Sequence, residues 1–292
     1  MKRDGLILLD KPAGPSSQDA VTLVKRALKA DKAGHAGTLD PFATGLLLVC
    51  LGRATKLAGY LTGEDKEYLA TVALGVATDT DDSTGRELSR ADAAGLKRER
   101  LEEALQAFRG TLQQVPPAYS AIQREGERMY RCARRGETVD IPPRPVTVHE
   151  LTLIAFHPGS LAQADLRLKV SKGTYIRSLA RDLGKALGLG GHLAGLRRTA
   201  SGSYSLEEGS IALSALRERP ESAPLVPLER IRLPMPSHRL NEGETAGVAH
   251  GRVPPAEPSL APGPVSLLGP DGRLLAVARV EEGGRIRLER VL

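Results

Sequence analysis

The passage GHAGTLDPFATGLLLVCLG, residues 34–52, constrains this chain more than any other. Gly34, Gly37 and Gly45 punctuate a turn-rich stretch, and the apolar run 46–50 behind it has the length and composition of a fully buried strand. One acid, Asp40, sits in the bend. Pro41 restricts the preceding residue to extended backbone and cannot donate to a ladder, so the Asp40 carboxylate is expected to stand at a fixed bend beside a core strand. A carboxylate held in this way can serve as nucleophile or base. An Asp-Pro pair can equally do no more than make a turn, and these residues by themselves leave both readings open.

At 292 residues the chain can hold one large domain with a small one, or two of ordinary size. Apolar residues at 41% and charged residues at 26% are those of an ordered globular protein; aromatics are only 3% and Trp is absent, so aliphatic side chains must fill the core. The apolar run 5–9 is too short for a signal peptide and no stretch approaches the length of a membrane span, which predicts a cytoplasmic protein with no membrane partner. Cys50 and Cys132 lie far apart and outside any CxxC or Cys/His pattern, so neither zinc nor a disulfide framework is expected. The formal charge of +6 and pI near 9.4 permit a polyanionic partner without requiring one.

Along the chain, residues 5–9 (GLILL) read as a first buried strand. Ser16 and Asp19 form a capping pair for a helix whose apolar face is Ala20, Val21, Val24 and Leu28. Lys25, Arg26, Lys29 and Lys32 stay wet on that helix and lead into the Asp40 passage, where steering of a phosphate backbone would be useful. Residues 54–61 predict a short helix and 67–76 a half-buried strand with Tyr68, Ala70, Val72, Leu74 and Val76 on one face. DTDDSTG, 79–85, has acids at alternate positions, but Thr84 and Arg90 stand where a calcium loop requires Gly and Glu, so it reads as a plain loop.

A helix over 99–109 carries Leu101, Leu105 and Phe108 and ends at Gly110. Beyond Pro116 and Pro117 follow an extended stretch at 119–123, a turn at 125–126, a short basic helix at 127–135, and an antiparallel strand pair over 146–156 and 164–171. After Gly173, Ile176, Leu179, Ala180 and Leu183 define a buried helical face. Arg177 in the first turn of that helix opposes the macrodipole and calls for a nearby anion, most naturally a carboxylate. Gly190, Gly191 and His192 make a glycine-rich bend before the arginine pair of LRRT, 196–199. From about 216 the prolines mark a domain boundary, and 237–292 reads as a small all-β module with segments at 265–268, 274–280 and 285–288.

Taken in order, GHAGTLDPFATG, KEYLATVALG, PPAYSA with GERMYRCARRG, SKGTYIRSLARDLG and GHLAGLRRT resemble the TruB family of tRNA pseudouridine synthases, in order and in spacing, over about residues 4–210. The resemblance implies an α+β catalytic domain, 1–231, with a mixed, mostly antiparallel sheet. The last 55 or so residues are similar to the PUA-type RNA-binding module of bacterial members, implying a second domain at 232–292. It further implies isomerisation of uridine 55 in the T loop of tRNA, no cofactor, no obligate protein partner and a monomer. Asp40 matches the family's catalytic aspartate, which attacks or deprotonates the sugar so that the base detaches, rotates and rejoins through carbon. Tyr68 matches the tyrosine lying against the uracil, Arg177 the arginine that pairs with the aspartate, His35 the histidine entering the T loop, and Leu196 the leucine packing on the flipped uracil. Tyr175 and Lys11 match further pocket residues, and Arg197 and Arg198 fit phosphate contact. Ala118, Gln123 and Gly191 depart from the family's common Met, Lys and Ala and touch contact details only.

Three rivals are weighed against the standalone enzyme. The guide-RNA-dependent relative of archaea and eukaryotes shares the aspartate motif, but its termini differ from the short N-terminus and small C-terminal module here. A tRNA-binding folding factor with lost catalysis is disfavoured by the joint presence of Asp40, Tyr68 and Arg177. A hydrolase built on Asp40 lacks a partner metal motif or a His-based dyad; His35 is five residues away and makes a weak one.

Overall fold

A computed structural model describes residues 3–119, 123–124, 127–128, 141–255, 257 and 259–292, the pairs 123–124 and 127–128 by their backbone. The chain runs through β1 (Gly5–Lys11), α1 (Ser17–Ala27), β2 (Ala33–Ala36), β3 (Thr44–Leu51), a 3₁₀ turn leading into α2 (Ala58–Thr62), and β4 (Lys66–Leu74). Next come β5 (Val76–Thr78), β6 (Glu87–Arg90), α3 (Arg98–Gln106), β7 (Gly110–Gln114), β8 (Gln123–Arg124) and β9 (Glu127–Arg128). These are followed by β10 (Arg144–His157), β11 (Ala162–Val170), α4 (Ile176–Leu187), β12 (Gly191–Ser201), β13 (Tyr204–Ser205), β14 (Ile211–Ala212), α5 (Leu213–Glu218) and β15 (Leu225–Pro227). The last elements are β16 (Ser237–Arg239), α6 (Glu242–Ala249), β17 (Gly263–Leu268), β18 (Leu274–Val280) and β19 (Ile286–Val291). Two compact units result, one of residues 1–41, 45–64 and 201–292, the other of 42–44 and 65–200.

In the first unit β1 lies antiparallel to β3, Gly5 opposite Leu51 and Lys11 opposite Gly45. Both strands are apolar along their middle, 6–9 and 46–51, and the side chains of 46–51 have no exposure, as the uninterrupted apolar run predicted. β1 extends two residues past the predicted end because its pairing with β3 continues until Pro12, which has no N–H to give. β14 joins β1 in parallel and β15 joins it antiparallel, while β2 pairs with β3. The predicted cap of α1 is a full capping box: the Asp19 N–H donates to Ser16 Oγ at 3.1 Å and the Ser16 N–H to the Asp19 carboxylate at 3.1 Å. Ala20, Val21, Val24 and the C-cap Leu28 are buried; Lys25 and Arg26 in the last turn are exposed, as are Lys29 and Lys32, which fall beyond the end of the helix.

Leu6, Leu8, Leu46 and Leu48 share one apolar cluster with Leu57, Tyr204, Leu228 and Ile231 and, from β18, with Leu274 and Val277. The four-stranded sheet β16–β17–β18–β19 therefore buries one side against the same aliphatic layer and keeps a cluster of its own around Val248, Val265, Leu267 and Ile286. Besides its strands this C-terminal part holds α6, which sequence reading passed over: its two internal glycines and single buried side chain, Val248, give no apolar stripe. Its start is nonetheless written locally, by a capping box between Asn241 and Glu244.

The second unit is a sheet in the order β12–β4–β11–β10–β7. β4 faces β11 antiparallel from Lys66 opposite Val170 to Leu74 opposite Ala162, and β11–β10 and β10–β7 are antiparallel as well. β4 buries Tyr68, Ala70 and Val72 at alternate positions, and α4 buries Ile176, Leu179, Ala180 and Leu183. Two expectations need correction. Residues 127–128 pair as a strand with 123–124, so no helix begins at 127; the rest of the predicted basic helix, the turn at 125–126 and Cys132 lie outside the described residues. The glycine-rich bend is also shorter than expected, because β12 runs unbroken from Gly191 through the arginine pair.

Gly190 turns at φ +72°, and Gly191 then passes against α4 at Gly184. A Cβ on Gly184 would stand 2.2 Å from the Gly191 nitrogen, a backbone atom that cannot step aside. Gly184→Ala is expected to cost about 3 kcal/mol, the upper end of ordinary overpacking, read as a lowered midpoint in urea unfolding.

Candidate active site

In the first unit the bend carrying Asp40 is pinned on both sides by buried polar groups. Ser17, in the first turn of α1, accepts the Leu39 N–H on its Oγ at 2.8 Å and donates to the Leu39 carbonyl at 2.9 Å. The Pro41 carbonyl accepts the Gly14 N–H at 2.8 Å and the Lys11 ammonium at 3.2 Å. Lys11 donates also to the Pro12 carbonyl at 2.8 Å. Gly37 supplies the left-handed turn before the bend, φ +90°, and Asp40 between these anchors is half-buried. His35 lies on β2 opposite Val49 and is likewise half-buried. Ser17 is the functional neighbour that sequence reading missed. It precedes Leu39 by 22 positions and carries no local signal, its proximity being created only when α1 packs back beside β2 and the bend that follows.

The Lys11 side chain is 0% exposed. Burial pushes its ammonium down to about 8, and the negative charge of Asp40 works against that fall. Between pH 8 and the unfolded value of 10.5 the unfolded chain binds more protons, so this group's contribution to stability rises with pH. The buried Cys50 thiol, pushed up to about 12, works in the opposite direction above pH 9, so the Lys11 share is read as a difference: in urea unfolding from pH 8 to 10 the stability of the native protein relative to Lys11→Met, which keeps the volume without the charge, is expected to rise.

In the second unit Tyr68 is on β4, inward and paired with Leu168. Tyr175 stands at the N-cap of α4, and Arg177 follows in its first turn with 5% exposure. The Arg177 guanidinium donates to the carbonyls of Thr80 at 3.1 Å and Tyr119 at 3.0 Å, and its Nε lies 3.8 Å from Asp82 Oδ2. The carboxylate that the helix dipole demands thus comes, within this unit, from the loop dismissed as a calcium site. Asp82 is itself oriented by Thr80 Oγ1 at 2.7 Å and by the Thr84 N–H and hydroxyl at 2.9 and 2.6 Å, all on Oδ1, which leaves Oδ2 toward the arginine. Its neighbour Asp81 takes Arg181 at 2.9 Å; burial pushes the Asp81 carboxyl up and the Arg181 charge holds it back. Among the described residues no cluster of three or more His, Cys, Asp or Glu could hold a metal ion.

The arginine pair of β12 is split. Arg197 is half-exposed and lines a cleft of about 470 Å³ with Phe42, Thr44, Leu69, Ile154 and Leu196. Arg198 is 1% exposed, a buried guanidinium with no surface to offer a phosphate, which corrects the expectation that the pair acts alike. The residues expected at the site thus fall as Lys11, His35 and Asp40 in the first unit and Tyr68, Tyr175, Arg177, Leu196, Arg197 and Arg198 in the second.

The family description "TruB family pseudouridylate synthase (N terminal domain)" matches residues 25–176, and that of the "tRNA pseudouridylate synthase B C-terminal domain" matches 177–236. The chain belongs to the TruB family. TruB relatives named tRNA pseudouridine synthase B include one from Thermobifida fusca, 45% identical over 96% of both chains. A second, from Saccharophagus degradans, is 50% identical over 73% of this chain and 68% of its own. A similar solved structure is a chain of a Cbf5–Nop10–Gar1 complex, with a TM-score of 0.77 and 27% identity over 99% of this TruB member and 85% of that chain. A chain of an H/ACA RNP bound to a substrate RNA containing 2′-deoxyuridine follows at 0.76 and 25%, covering 99% and 85%. The α+β fold with a mostly antiparallel sheet agrees with that membership. No helix among the described residues is long and apolar enough to cross a membrane.

Proposed function

We propose that this TruB member isomerises uridine 55 in the T loop of tRNA to pseudouridine as a standalone monomeric enzyme of the cytoplasm. The observation that carries the reading is the doubly pinned bend of Asp40, a single carboxylate held between the N-terminus of α1 and a fully buried strand. The target base must leave its stack to be reached, which costs a few kcal/mol and calls for a pocket to receive it. The glycosidic bond from C1′ to N1 breaks, a bond from C1′ to C5 forms, the C5 proton leaves and N1 gains one, so neither an oxidant nor an external group donor is consumed. In this reading Asp40 attacks or deprotonates the ribose and Tyr68 lies against the uracil. Arg177 provides the positive charge; His35, Leu196, Tyr175 and Lys11 shape the place of the extruded nucleotide. Residues 232–292 are assigned as the PUA-like RNA-binding module.

Relatives named tRNA pseudouridine synthase B are 40–50% identical, against 25–27% for the H/ACA chains, which supports the standalone reading over the guide-RNA-dependent one. Tritium release from C5-labelled uridine in a tRNA transcript tests both. Release is expected from the native protein alone, is lost with a T-loop uridine substitution, and is abolished by Asp40→Asn with tRNA binding retained. An active Asn variant would sink the assignment of Asp40; binding without release would favour a folding factor or a missing guide.

Arg197 is assigned to a phosphate. Arg197→Ala is expected to weaken tRNA binding and to make the slope of log K against log salt shallower by about 0.7–0.9, one counterion's worth. Arg198→Ala, at a buried position, is expected to lower the unfolding midpoint and leave the slope as it was.

A further inference from the structure

Helix α4 carries Tyr175 and Arg177 in its opening turn, yet its N-cap is the tyrosine itself, with no side chain of its own to cap the first amides. What fixes this end comes from the edge strand β7. Gln114, the last residue of β7 and 5% exposed, accepts the Tyr175 N–H on Oε1 at 2.8 Å and donates from Nε2 to the Tyr175 carbonyl at 3.0 Å. A primary amide is the neutral side chain that presents donor and acceptor side by side, so here it pairs with both backbone groups of one residue as a neighbouring strand would.

The backbone just beyond is tied to the same helix. The Val115 carbonyl accepts Ser178 Oγ at 2.8 Å and the Arg181 guanidinium at 3.0 Å, and the Tyr119 carbonyl accepts Arg177. From the other side the loop 79–85 holds Arg177 and Arg181 through Thr80, Asp82 and Asp81. The Tyr175 carbonyl also accepts the Leu179 N–H at 3.2 Å inside the helix, and Gln114 ties both backbone groups of Tyr175 to the sheet.

We propose that Gln114 is a positioning residue for the pseudouridine synthase reaction: by clamping the Tyr175 peptide it sets the direction in which α4 presents Tyr175 and Arg177. This rests on the roles given to those two residues above. Beside the clamp lies a cleft of about 240 Å³, lined by Phe108, Leu112, Leu179 and Asp182 as well as Gln114. Water entering from it can satisfy the Tyr175 peptide when the amide is missing, so the fold survives; water does not dictate the peptide's direction, and misplacement by about 1 Å can cost 10²-fold in rate.

The test compares native protein, Gln114→Leu and Gln114→Glu in single-turnover pseudouridine formation on a tRNA transcript, with tRNA Kd and urea unfolding measured alongside. Gln114→Leu is expected to lower the rate constant roughly 10- to 100-fold, with Kd within about twofold and the unfolding midpoint close to native. Gln114→Glu separates orientation from packing. As a carboxylate it accepts the Tyr175 N–H but repels the carbonyl, and as a carboxylic acid it donates and accepts as the amide does.

The charged groups around this position are Asp182, on the cleft wall, and Arg181 of α4, with Arg177 one turn earlier, and Arg144, the residue opposite Gln114 on β10; burial and Asp182 raise the new carboxyl, the three arginines lower it. The ratio of the Glu variant's rate to the native rate is therefore expected to climb as pH falls from 8 to 6. Native rate constants in both variants across that range overturn the proposal. So does a loss of activity that merely tracks a falling folded fraction, which marks a structural role. A native protein that binds tRNA and forms no pseudouridine refutes the underlying reading itself, and the assignment of Gln114 falls with it.

Discussion

A carboxylate proposed for chemistry has to be kept still next to a strand that wants only aliphatic company. Here the backbone around Asp40 is immobilised by groups that are themselves out of water: Ser17 closes a two-way pair with Leu39, and the Lys11 ammonium caps the Pro41 carbonyl. Each costs free energy to bury, and each is acceptable only because its partner is already in place. The depressed Lys11 ammonium is the measurable trace of that cost. If the bend were loose, the doubly buried β3 that follows would still form, but nothing would orient the acid before it.

The second unit solves a different electrostatic problem. A basic residue in the first turn of a helix meets the positive end of the dipole, and α4 places Arg177 there. Asp82 meets that demand, in a loop whose two threonines hold the carboxylate on the side away from the arginine. Of the acids that suggest a calcium loop when counted along the sequence, Asp82 and Asp81 are in fact spent on Arg177 and Arg181, and Asp79 on Arg86. Spacing alone does not distinguish a cation supplied by solution from one supplied by a side chain.

With aromatics so scarce, the apolar interior is built mainly from Leu, Val, Ile and Ala, and one cluster of the first unit is closed by β18 from the C-terminal sheet. Dispersion and burial act over the whole layer without regard to how far apart its members lie in the chain. A small β module with few strands gains most when it shares such a layer.

Much of the fold is legible in the order of residues because its causes are local. The period of β4, the run of β3, the Ser16–Asp19 box and the face of α4 depend on neighbours within a turn or two and appear where the pattern puts them, except that β4 stops at Leu74, where Gly75 turns at φ +109° and Val76 opens β5 in a separate sheet. The TruB motifs are legible for a related reason, since each is a short string read without knowing what it touches. The edge strand β7, the unbroken β12 and α6 are less visible: an edge strand needs its partner β10 to be a strand, a glycine bend needs Gly184 opposite it to become a close crossing, and α6 is two glycines away from an apolar stripe.

The sequence by itself determined which residue types stand at the bend, on the inward face of β4 and at the start of α4. Tertiary structure alone decided that Ser17 would hold Leu39, that Asp82 would face Arg177, that Gln114 would pair with the peptide of Tyr175, and that Arg198 would be buried while Arg197 stays half-exposed. The reason is physical: a hydrogen bond or an ion pair is set by distance in space, and distance between residues 22, 95 or 61 positions apart is settled only once the aliphatic layers have packed.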